Sequence, residues 1–344
     1  MRAVILEKFG GSEGLVDGAL PVPQVGPHDV LIRVKAAGFN PTDYQLRQHG
    51  HPGLAPPVVL GRDVAGIVET CGAEVTALKP GDPVYGYHAL RRPGGYAEFA
   101  AIPNWFVAPK PASLSFLEAA SIPVAGLTAL RSLRRARLST DKSLLVTGGA
   151  GGVGSWAIEL AKAFGMTRIV TTAGSDQSRC YLRDVLRIAD ARIIDYRNRS
   201  RADLAALAIA ANGGRLFEIA LDCVGGAMTH LTCDAVGIQG DVVSIVNGPM
   251  DQSHGAAVAD EDILFDKSAA FHFELCSALA YQDPAGHHTV YAGQLRELAT
   301  LIDGGKIAVP PVTDLGALSA ATVREAHRRL ECGHTIGKLA ATVG

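Results

Sequence analysis

A glycine-rich segment in the middle of the chain constrains the fold more than any other feature. The segment reads LLVTGGAGGVGSWAIELAKAFG over residues 144–165, and Gly149, Gly151 and Gly154 have the spacing G-x-G-x-x-G. An apolar strand precedes these glycines and an amphipathic helix follows them, an arrangement that binds a dinucleotide pyrophosphate at the helix N-terminus. We therefore predict a phosphate-binding loop with cofactor contacts from Gly149, Ala150, Gly151, Gly152 and Val153.

The sequence pattern changes at about residue 115. Before it, short alternating or β-branched runs such as DVLIRVKAAG are separated by Gly and Pro, which indicates a β-rich domain. After it, apolar strands alternate with helical stretches, which predicts a parallel sheet covered on both faces. The C-terminal helical patterns and KLAATV have no place in that sheet. We predict an α/β chain with a discontinuous β-rich domain, residues 1–124 and 282–344, and a doubly wound domain, residues 125–281.

Composition excludes several classes of function. The formal net charge is −2 with both signs scattered along the chain, and the six cysteines form no C-x-x-C pair. We therefore expect no nucleic-acid partner and no cysteine-rich zinc lobe. No apolar run is long enough to span a bilayer and no signal peptide is recognisable, so we expect a cytoplasmic protein without a membrane partner. The basic run from Arg131 to Arg137 is interpreted as a solvated helix face.

The end of the second predicted parallel strand indicates which dinucleotide is bound. NAD-binding sites usually place an acidic residue there to accept a hydrogen bond from the ribose 2′-hydroxyl, whereas this strand ends RIVTTAG. Ser175 and Arg179 follow, and their donors suit a 2′-phosphate, which predicts NADPH. Tyr196, at the end of the third strand, is predicted to flank the adenosine phosphate, with an ordinary surface tyrosine as the alternative. Asp176 is interpreted as a helix N-cap rather than a ribose ligand.

Six motifs in a fixed order resemble the medium-chain dehydrogenase/reductase superfamily. They are AAGFNPTDYQLRQHG, VLGRDVAGIVETCGAEVTALKPGDPVYG, GGYAEFAAI, AASIPVAGLTAL, LLVTGGAGGVG and GHTIGKLAATV. In detail the chain is similar to the zinc-independent quinone oxidoreductase branch, which includes zeta-crystallin-like enzymes and enone reductases. The resemblance implies a GroES-like catalytic domain, a Rossmann NADP-binding domain and a cleft where nicotinamide meets substrate.

The resemblance also bears on the metal and on the reaction. Zinc-dependent relatives carry a Cys at the position of Asn40 and Gly-His-Glu where this chain has Gly61, Arg62 and Asp63. Without that thiolate and imidazole the usual tetrahedral zinc site cannot form, so we predict no metal. Reduction of a quinone or an α,β-unsaturated carbonyl spreads the hydride's charge through the acceptor and needs no Lewis acid. The predicted function is therefore NADPH-dependent, zinc-independent hydride transfer to such an acceptor.

Three residues are predicted to be catalytic. The resemblance implies that Asn40 lies near the nicotinamide ribose and substrate, with a turn asparagine as the alternative. Tyr44, one helical turn further on, could donate to a substrate oxygen, although core packing is the alternative. His51 stands near the position of a proton-donating Tyr in many relatives and could serve as the acid, unless it is a solvated loop histidine.

The resemblance further implies cofactor contacts and a partner surface. Thr128 is expected to hydrogen-bond the nicotinamide region, while Val224, Val246 and Asn247 are expected to border the nicotinamide at strand ends. The segment AFHFELC, residues 270–276, lies within a predicted edge strand near 269–276 that pairs in a homodimer, although core burial would give the same pattern. Two alternative functions stay open: a trans-2-enoyl thioester reductase and an NADPH-binding sensor with little turnover.

Overall fold

The computed structural model describes residues 1–88, 94–246, 261–282, 288–333 and 335–344. Its strands are β1 (Arg2–Leu6), β2 (Leu15–Ala19), β3 (Asp29–Phe39), β4 (Val58–Val59), β5 (Asp63–Cys71), β6 (Pro83–Tyr87), β7 (Phe99–Pro103), β8 (Val107–Pro109), β9 (Ser143–Val146), β10 (Arg168–Ala173), β11 (Ile193–Asp195), β12 (Phe217–Asp222), β13 (Val236–Ser244), β14 (Ala270–Phe273), β15 (Val312–Ala317) and β16 (Lys338–Thr342). Its α-helices are α1 (Pro41–His49), α2 (Phe116–Ala120), α3 (Pro123–Arg135), α4 (Gly152–Ala163), α5 (Asp176–Cys180), α6 (Arg201–Ala211), α7 (Ala227–Ala235), α8 (Glu261–Asp266), α9 (Ala278–Gln282), α10 (His288–Asp303) and α11 (Ala320–Glu331).

The chain divides into two compact units. The first combines Met1–Leu127 with Ser277–Gly344, and the second is the continuous segment Thr128–Cys276. The sequence places these boundaries after residues 124 and 281, a few residues from the observed ones. Within the described ranges, every helix falls short of the length and apolar character that a membrane span requires.

The first unit is built on a seven-stranded sheet with the order β15-β16-β3-β5-β6-β8, and β7 pairs with the other half of β3. All of its pairs except β15 with β16 are antiparallel. The C-terminal strand β16 lies directly beside β3, with Leu339 opposite Phe39. Both side chains are buried, so the apolar residues of KLAATV join the C-terminal strands β15 and β16 to a sheet whose remaining strands come from the first part of the chain.

The second unit contains a six-stranded parallel sheet with the order β11-β10-β9-β12-β13-β14. Counted along the chain from β9, this is the order 3-2-1-4-5-6 of a doubly wound dinucleotide-binding fold. Apolar side chains from the strands and from α6 and α7 form its core, with Leu145, Phe217 and Val242 almost inaccessible to solvent. Strands that are buried on both faces need apolar residues at nearly every position, which explains the unbroken runs in the sequence. The predicted α/β fold is confirmed.

The basic run on and just after α3 is exposed as predicted at Arg134, Arg135 and Arg137, whereas Arg131 is largely buried. Arg131 is only 10% exposed and donates to Glu274 at 2.8 Å, and Arg135 donates to the other oxygen of that carboxylate at 2.6 Å. Arg137 holds Asp241 through two contacts of 3.0 Å. The acidic partners lie on and just after the sheet's last two strands, more than a hundred residues away, so helical spacing alone does not reveal them.

Candidate functional site

The glycine-rich segment forms a tight connection between β9 and α4. Gly151 is the N-cap of α4, and its N–H donates to the carbonyl oxygen of Gly148 at 3.0 Å. The hydroxyl of Ser155, in the first turn of α4, donates to the carbonyl oxygen of Gly149 at 3.0 Å. These bonds hold the loop closed and leave the first N–H groups of a twelve-residue helix at its mouth. The N-terminus of such a helix carries positive potential and free donors for a phosphate.

Two glycines of the loop are required by close contacts. A Cβ at Gly149 would lie 2.1 Å from Oγ1 of Thr171 on β10, and a Cβ at Gly154 would lie 2.3 Å from the carbonyl oxygen of Gly148. At Gly151 the nearest atom to a Cβ is 3.3 Å away, so this half-buried glycine keeps the mouth of the loop free of side-chain atoms. The first and last glycines allow tight packing and the middle one allows a ligand to approach, which fits a dinucleotide pyrophosphate.

The turn after β10 brings three of the predicted adenosine contacts to the neighbouring strand end. Ser175 is the N-cap of α5, and its hydroxyl accepts from the N–H of Ser178 at 3.1 Å. The interpretation of Asp176 as the cap is therefore wrong, because this residue is already helical and 89% exposed. A Cβ at Gly174 would lie 2.0 Å from the hydroxyl oxygen of Tyr196. Tyr196 thus packs over Gly174, next to Ser175.

Arg179 is held by an acidic neighbour. Its Nε and Nη2 donate to the two carboxylate oxygens of Asp190 at 2.8 and 2.5 Å, and its Nη1 donates to the carbonyl oxygen of Ile193 at 3.0 Å. The bonds from Arg179 lower the pKa of Asp190. This pair fixes the guanidinium beside the start of β11, with about a third of the side chain exposed.

A second guanidinium near Tyr196 was missed by the sequence reasoning. Arg197 directly follows Tyr196 and donates to Asp195 at 2.6 Å and to Asp176 at 2.9 Å. Its bonds lower the pKa of Asp195 to about 2. The sequence contains a signal for this second guanidinium, because a basic residue at the end of the third strand must lie at the same sheet edge as the turn after β10.

Two of the residues predicted to border the nicotinamide lie at the ends of neighbouring strands. Val224 is 46% exposed, and one of its methyl carbons lies 2.7 Å from where a Cβ on Gly148 would stand. Val246 is half-buried, and one of its methyl carbons lies 3.0 Å from where a Cβ on Gly225 would stand. Thr128 is a buried residue of α3. Asn247 lies outside the described residues.

In the first unit, Asn40 lies in a buried hydrogen-bonded cluster. Its Nδ2 donates to Oδ2 of Asp63 at 2.8 Å, and its Oδ1 accepts from Nζ of Lys338. Lys338 also donates to the carbonyl oxygen of Phe39 at 2.9 Å, and the other oxygen of Asp63 accepts from the N–H of Val124 at 2.8 Å. Asn40 is 2% exposed. The cluster therefore fixes the amide of Asn40 in one orientation through bonds at both ends.

Burial shifts the proton affinities of this cluster. It raises the pKa of Asp63 to about 6, although Lys338 and Asn40 oppose the shift. Asp43 accepts a hydrogen bond from the N–H of Asn40 at 2.9 Å. Burial raises the pKa of Asp43 to about 6, and the positive charge of Arg62 opposes this shift. The pKa of Lys338 is lowered by burial against the attraction of Asp63. Each shift follows from the cost of removing a charge from water, which the partners only partly repay.

The other two predicted catalytic residues are more accessible than Asn40. Tyr44 is half-buried on α1, one turn after Asn40. His51 is exposed in the loop after α1, with Nδ1 2.8 Å from the carbonyl oxygen of Pro52. Arg62, at the position of the missing zinc histidine, is buried, and its Nη1 donates to the hydroxyl of Tyr87 at 2.5 Å.

No group of three or more His, Cys, Asp or Glu residues within the described part of the chain is arranged to hold a metal ion. At the positions compared with zinc-dependent relatives, Asn40 binds Asp63 and Lys338, and the guanidinium of Arg62 has no lone pair to offer a metal. The side chains present there do not form a zinc ligand set.

Comparison with known proteins places this architecture in a family. A model described as an alcohol dehydrogenase GroES-like domain matches residues 26–112, and one described as a zinc-binding dehydrogenase matches residues 189–340. Quinone oxidoreductase from Mus musculus is 40% identical over 52% of this chain and 54% of its own length. The 2-methylene-furan-3-one reductase from Solanum lycopersicum is 40% identical over 51% of this chain and 48% of its own length. The chain spans about half the length of these relatives.

A longer match and two solved structures agree with that placement. The mitochondrial reticulon-4-interacting protein 1 from Caenorhabditis elegans is 32% identical over 71% of this chain and 69% of its own length. The quinone oxidoreductase structure from Coxiella burnetii has a TM-score of 0.81 at 28% identity, covering 100% of this chain and 99% of that one. An alcohol dehydrogenase superfamily protein from Novosphingobium aromaticivorans has a TM-score of 0.83 at 29% identity, with 100% of both chains covered.

The fold has two units, and the second has the strand order and the glycine-rich loop of a doubly wound dinucleotide-binding domain. The chain belongs to the medium-chain dehydrogenase/reductase superfamily and fits its quinone oxidoreductase branch. The resemblance inferred from the sequence motifs is confirmed.

Proposed function

We propose that this protein is an NADPH-dependent reductase that transfers hydride to a quinone or an α,β-unsaturated carbonyl without zinc. The observation that carries the proposal is a complete dinucleotide loop in a chain that places Asn40 and Arg62 where zinc-dependent relatives have metal ligands. A reaction without a metal needs an acceptor that delocalises the incoming charge itself. The names of the relatives, quinone oxidoreductase and 2-methylene-furan-3-one reductase, describe such acceptors.

The preference for NADPH is supported by the residues around the turn after β10. The strand ends at Ala173 and Gly174 follows it, and neither residue offers a carboxylate to a ribose 2′-hydroxyl. The hydroxyl of Ser175 and the guanidinium of Arg179 follow within one helical turn. Hydroxyl and guanidinium donors favour a 2′-phosphate, whose charge the bare sugar lacks.

Each part of the cofactor has residues to hold it. The first N–H groups of α4 and the open face of Gly151 bind the pyrophosphate, Tyr196 flanks the adenosine phosphate, and Val224 and Val246 border the nicotinamide. NADPH supplies the hydride when bound. The proton comes from Tyr44 or His51, since both are more accessible than the residues of the Asn40 cluster. In the second unit we assign Thr128 to the nicotinamide end, and in the first unit we assign Asn40 to the substrate side.

The protein also forms a homodimer through the edge of the second unit and works in the cytoplasm. Strand β14 is the last strand of its sheet and exposes Phe273 at 60%, and Leu275, two residues after the strand, is 59% exposed. Large apolar side chains on an open strand edge favour pairing with a second copy. Sedimentation velocity is expected to give a dimer for the wild type and a monomer for Phe273→Asp, and a monomeric wild type would contradict the dimer.

The reaction is tested by measuring oxidation of NADPH and NADH against quinones, short enones and enoyl thioesters. We expect turnover of quinones or enones with NADPH preferred, and no loss of rate after treatment with a chelator. Activity that a chelator abolishes and zinc restores would overturn the metal-free mechanism. Tight NADPH binding with no turnover of any acceptor would indicate a sensor, and turnover restricted to enoyl thioesters would indicate a thioester reductase.

A further inference from the structure

Asp222, the last residue of β12, is completely buried. Its carboxylate accepts five hydrogen bonds within the described residues. Oδ1 accepts from Thr147 Oγ1 at 3.1 Å, Val224 N at 3.0 Å and Gly225 N at 2.9 Å, and Oδ2 accepts from Thr229 Oγ1 at 2.6 Å and Ser244 Oγ at 3.2 Å. A buried carboxylate needs this many donors to offset the loss of water.

Four of the five donors come from the ends of three parallel strands, and the fifth, Thr229, comes from the first turn of α7. Thr147 follows β9 and precedes the phosphate loop. The N–H groups of Val224 and Gly225 belong to the turn after β12. Thr229 lies in the first turn of α7, which follows that turn. Ser244 is the last residue of β13. Each segment carries a residue to which we assign a cofactor contact, and one side chain joins all three.

Secondary bonds tie the same segments together. Thr147 Oγ1 accepts from the N–H of Cys223 at 3.0 Å while it donates to Asp222. The N–H of Val246 donates to Ser244 Oγ at 3.3 Å, and the N–H of Ile245 donates to the carbonyl oxygen of Asp222 at 3.1 Å. A residue that only capped the turn after β12 would bond the N–H groups of that turn and would not reach β9, α7 and β13.

We propose that Asp222 is a positioning residue that fixes the three cofactor-binding loops of the second unit in one arrangement. The proposal rests on the proposed function, because it assigns these loops to NADPH. Asp222 acts through Thr147, Val224 and Ser244, since its own oxygens are buried among donors. Its removal frees three loops together, so the phosphate loop and the nicotinamide edge lose their relative position in one step.

The first experiment measures hydrogen exchange in the protein without added cofactor. In Asp222→Ala we expect faster exchange in residues 147–151, 223–229 and 244–246 together, and unchanged exchange in α10 of the other unit. In Asp222→Asn the increase is expected to be smaller, because the amide oxygen can replace Oδ1 and the hydroxyls of Thr229 and Ser244 can accept from the amide nitrogen. Faster exchange confined to residues 223–225 would mean that Asp222 is only a turn cap and would overturn the proposal.

The second experiment measures the NADPH dissociation constant by fluorescence titration. We expect Asp222→Ala to bind NADPH at least about tenfold more weakly, the size of one lost charge-assisted hydrogen bond, with Asp222→Asn between it and the wild type. The control is Asp241→Asn, a buried aspartate of β13 that binds Arg137 and His272 instead of the loops. This control should lower the melting temperature and leave the dissociation constant unchanged.

The two readouts separate failure of this inference from failure of the proposed function. If Asp222→Ala melts earlier and still binds NADPH like the wild type, Asp222 is only a stabilising residue and the inference is wrong. If the wild type binds neither NADPH nor NADH, the proposed function is wrong, and the exchange pattern alone then decides whether Asp222 holds the three loops.

Discussion

Asn40 and Asp63 belong to a buried hydrogen-bonded cluster in the first unit. At a position where zinc-dependent relatives carry a thiolate, this chain has an amide that bonds to a carboxylate at one end and to the ammonium of Lys338 at the other. All three side chains are at most 5% exposed. A buried polar group is costly unless its partners are complete. The cluster therefore gives the first unit a buried polar centre whose side chains hold one another in place.

Arg179 is the residue that we expect to distinguish NADPH from NADH. Arg179→Ala should raise the NADPH dissociation constant about tenfold or more and leave that of NADH unchanged, because only NADPH has a 2′-phosphate for the guanidinium to bind. Fluorescence titration of both cofactors measures the two constants.

Arg197→Ala is the matched control for this prediction, because Arg197 is also held by acidic neighbours at the same sheet edge. Unchanged NADPH affinity in Arg179→Ala would refute the role that we assign to Arg179. A selective loss in Arg197→Ala would transfer that role to the neighbouring guanidinium.

Close contacts with neighbouring atoms determine where the connection from β9 to α4 needs glycine. Gly149 is required because Thr171 of β10 stands against it, and Gly154 is required because α4 lies against the carbonyl oxygen of Gly148. The middle glycine, Gly151, has more space and faces the open side of the loop. The same three residues therefore have two functions, close packing at the ends and ligand access in the middle.

Gly154→Ala tests this division. The added methyl would stand 2.3 Å from a backbone oxygen, so the helix must move away from the loop. We expect a loss of about 1–3 kcal/mol of unfolding free energy and at least about tenfold weaker NADPH binding. Urea unfolding and fluorescence titration measure the two effects.

The matched control is Gly293→Ala, in the interior of α10, where no atom lies within 4 Å of the added Cβ. It should stabilise the protein by about 0.5–1 kcal/mol and leave NADPH affinity unchanged. Wild-type affinity in Gly154→Ala would show that the tight contact is not needed for the binding loop.

The C-terminal strand β16 brings into contact residues that are nearly three hundred positions apart in the chain. Lys338 begins β16 and bonds to Phe39 and Asn40 at the end of β3. Its ammonium is 3.8 Å from Asp63 at the start of β5. Pairing of β16 with β3 places these charges together. The last strand is therefore part of the polar centre and of the sheet that surrounds it.

Lys338→Met should destabilise the protein in a manner that depends on pH. Asp63 has a folded pKa of about 6, above its ordinary 3.8, so its protonated form favours folding and that contribution falls as pH rises from about 4 to 6. Without Lys338 the pKa rises further, and the loss continues above pH 6. We expect a cost of about 1–3 kcal/mol at pH 5, from two oxygens without a donor, and about 3–5 kcal/mol at pH 8.

Urea unfolding at pH 5 and pH 8 measures both costs, with Lys306→Met as the control at an exposed lysine of the same unit. A cost that is equal at the two pH values, or larger at pH 5, would show that Lys338 does not stabilise the ionised form of Asp63.

The α/β class, the phosphate loop and the family could be predicted from the sequence, because each prediction depends on residues that are close together in the chain. The glycine spacing and the apolar strand before it are local patterns, and so is each of the six motifs. The end of the second strand likewise indicated a cofactor preference from neighbouring residues alone.

The contacts between distant polar side chains could not be predicted from the sequence and follow from the folded structure. Lys338 reaches Asn40 because β16 pairs with β3, and Arg131 reaches Glu274 from α3 across to the end of β14. Asp222 joins three loops because parallel strands end at one edge of the sheet. Such partners are set by strand order and by the cost of burying an uncompensated charge, and neither is visible in the spacing of residues along the chain.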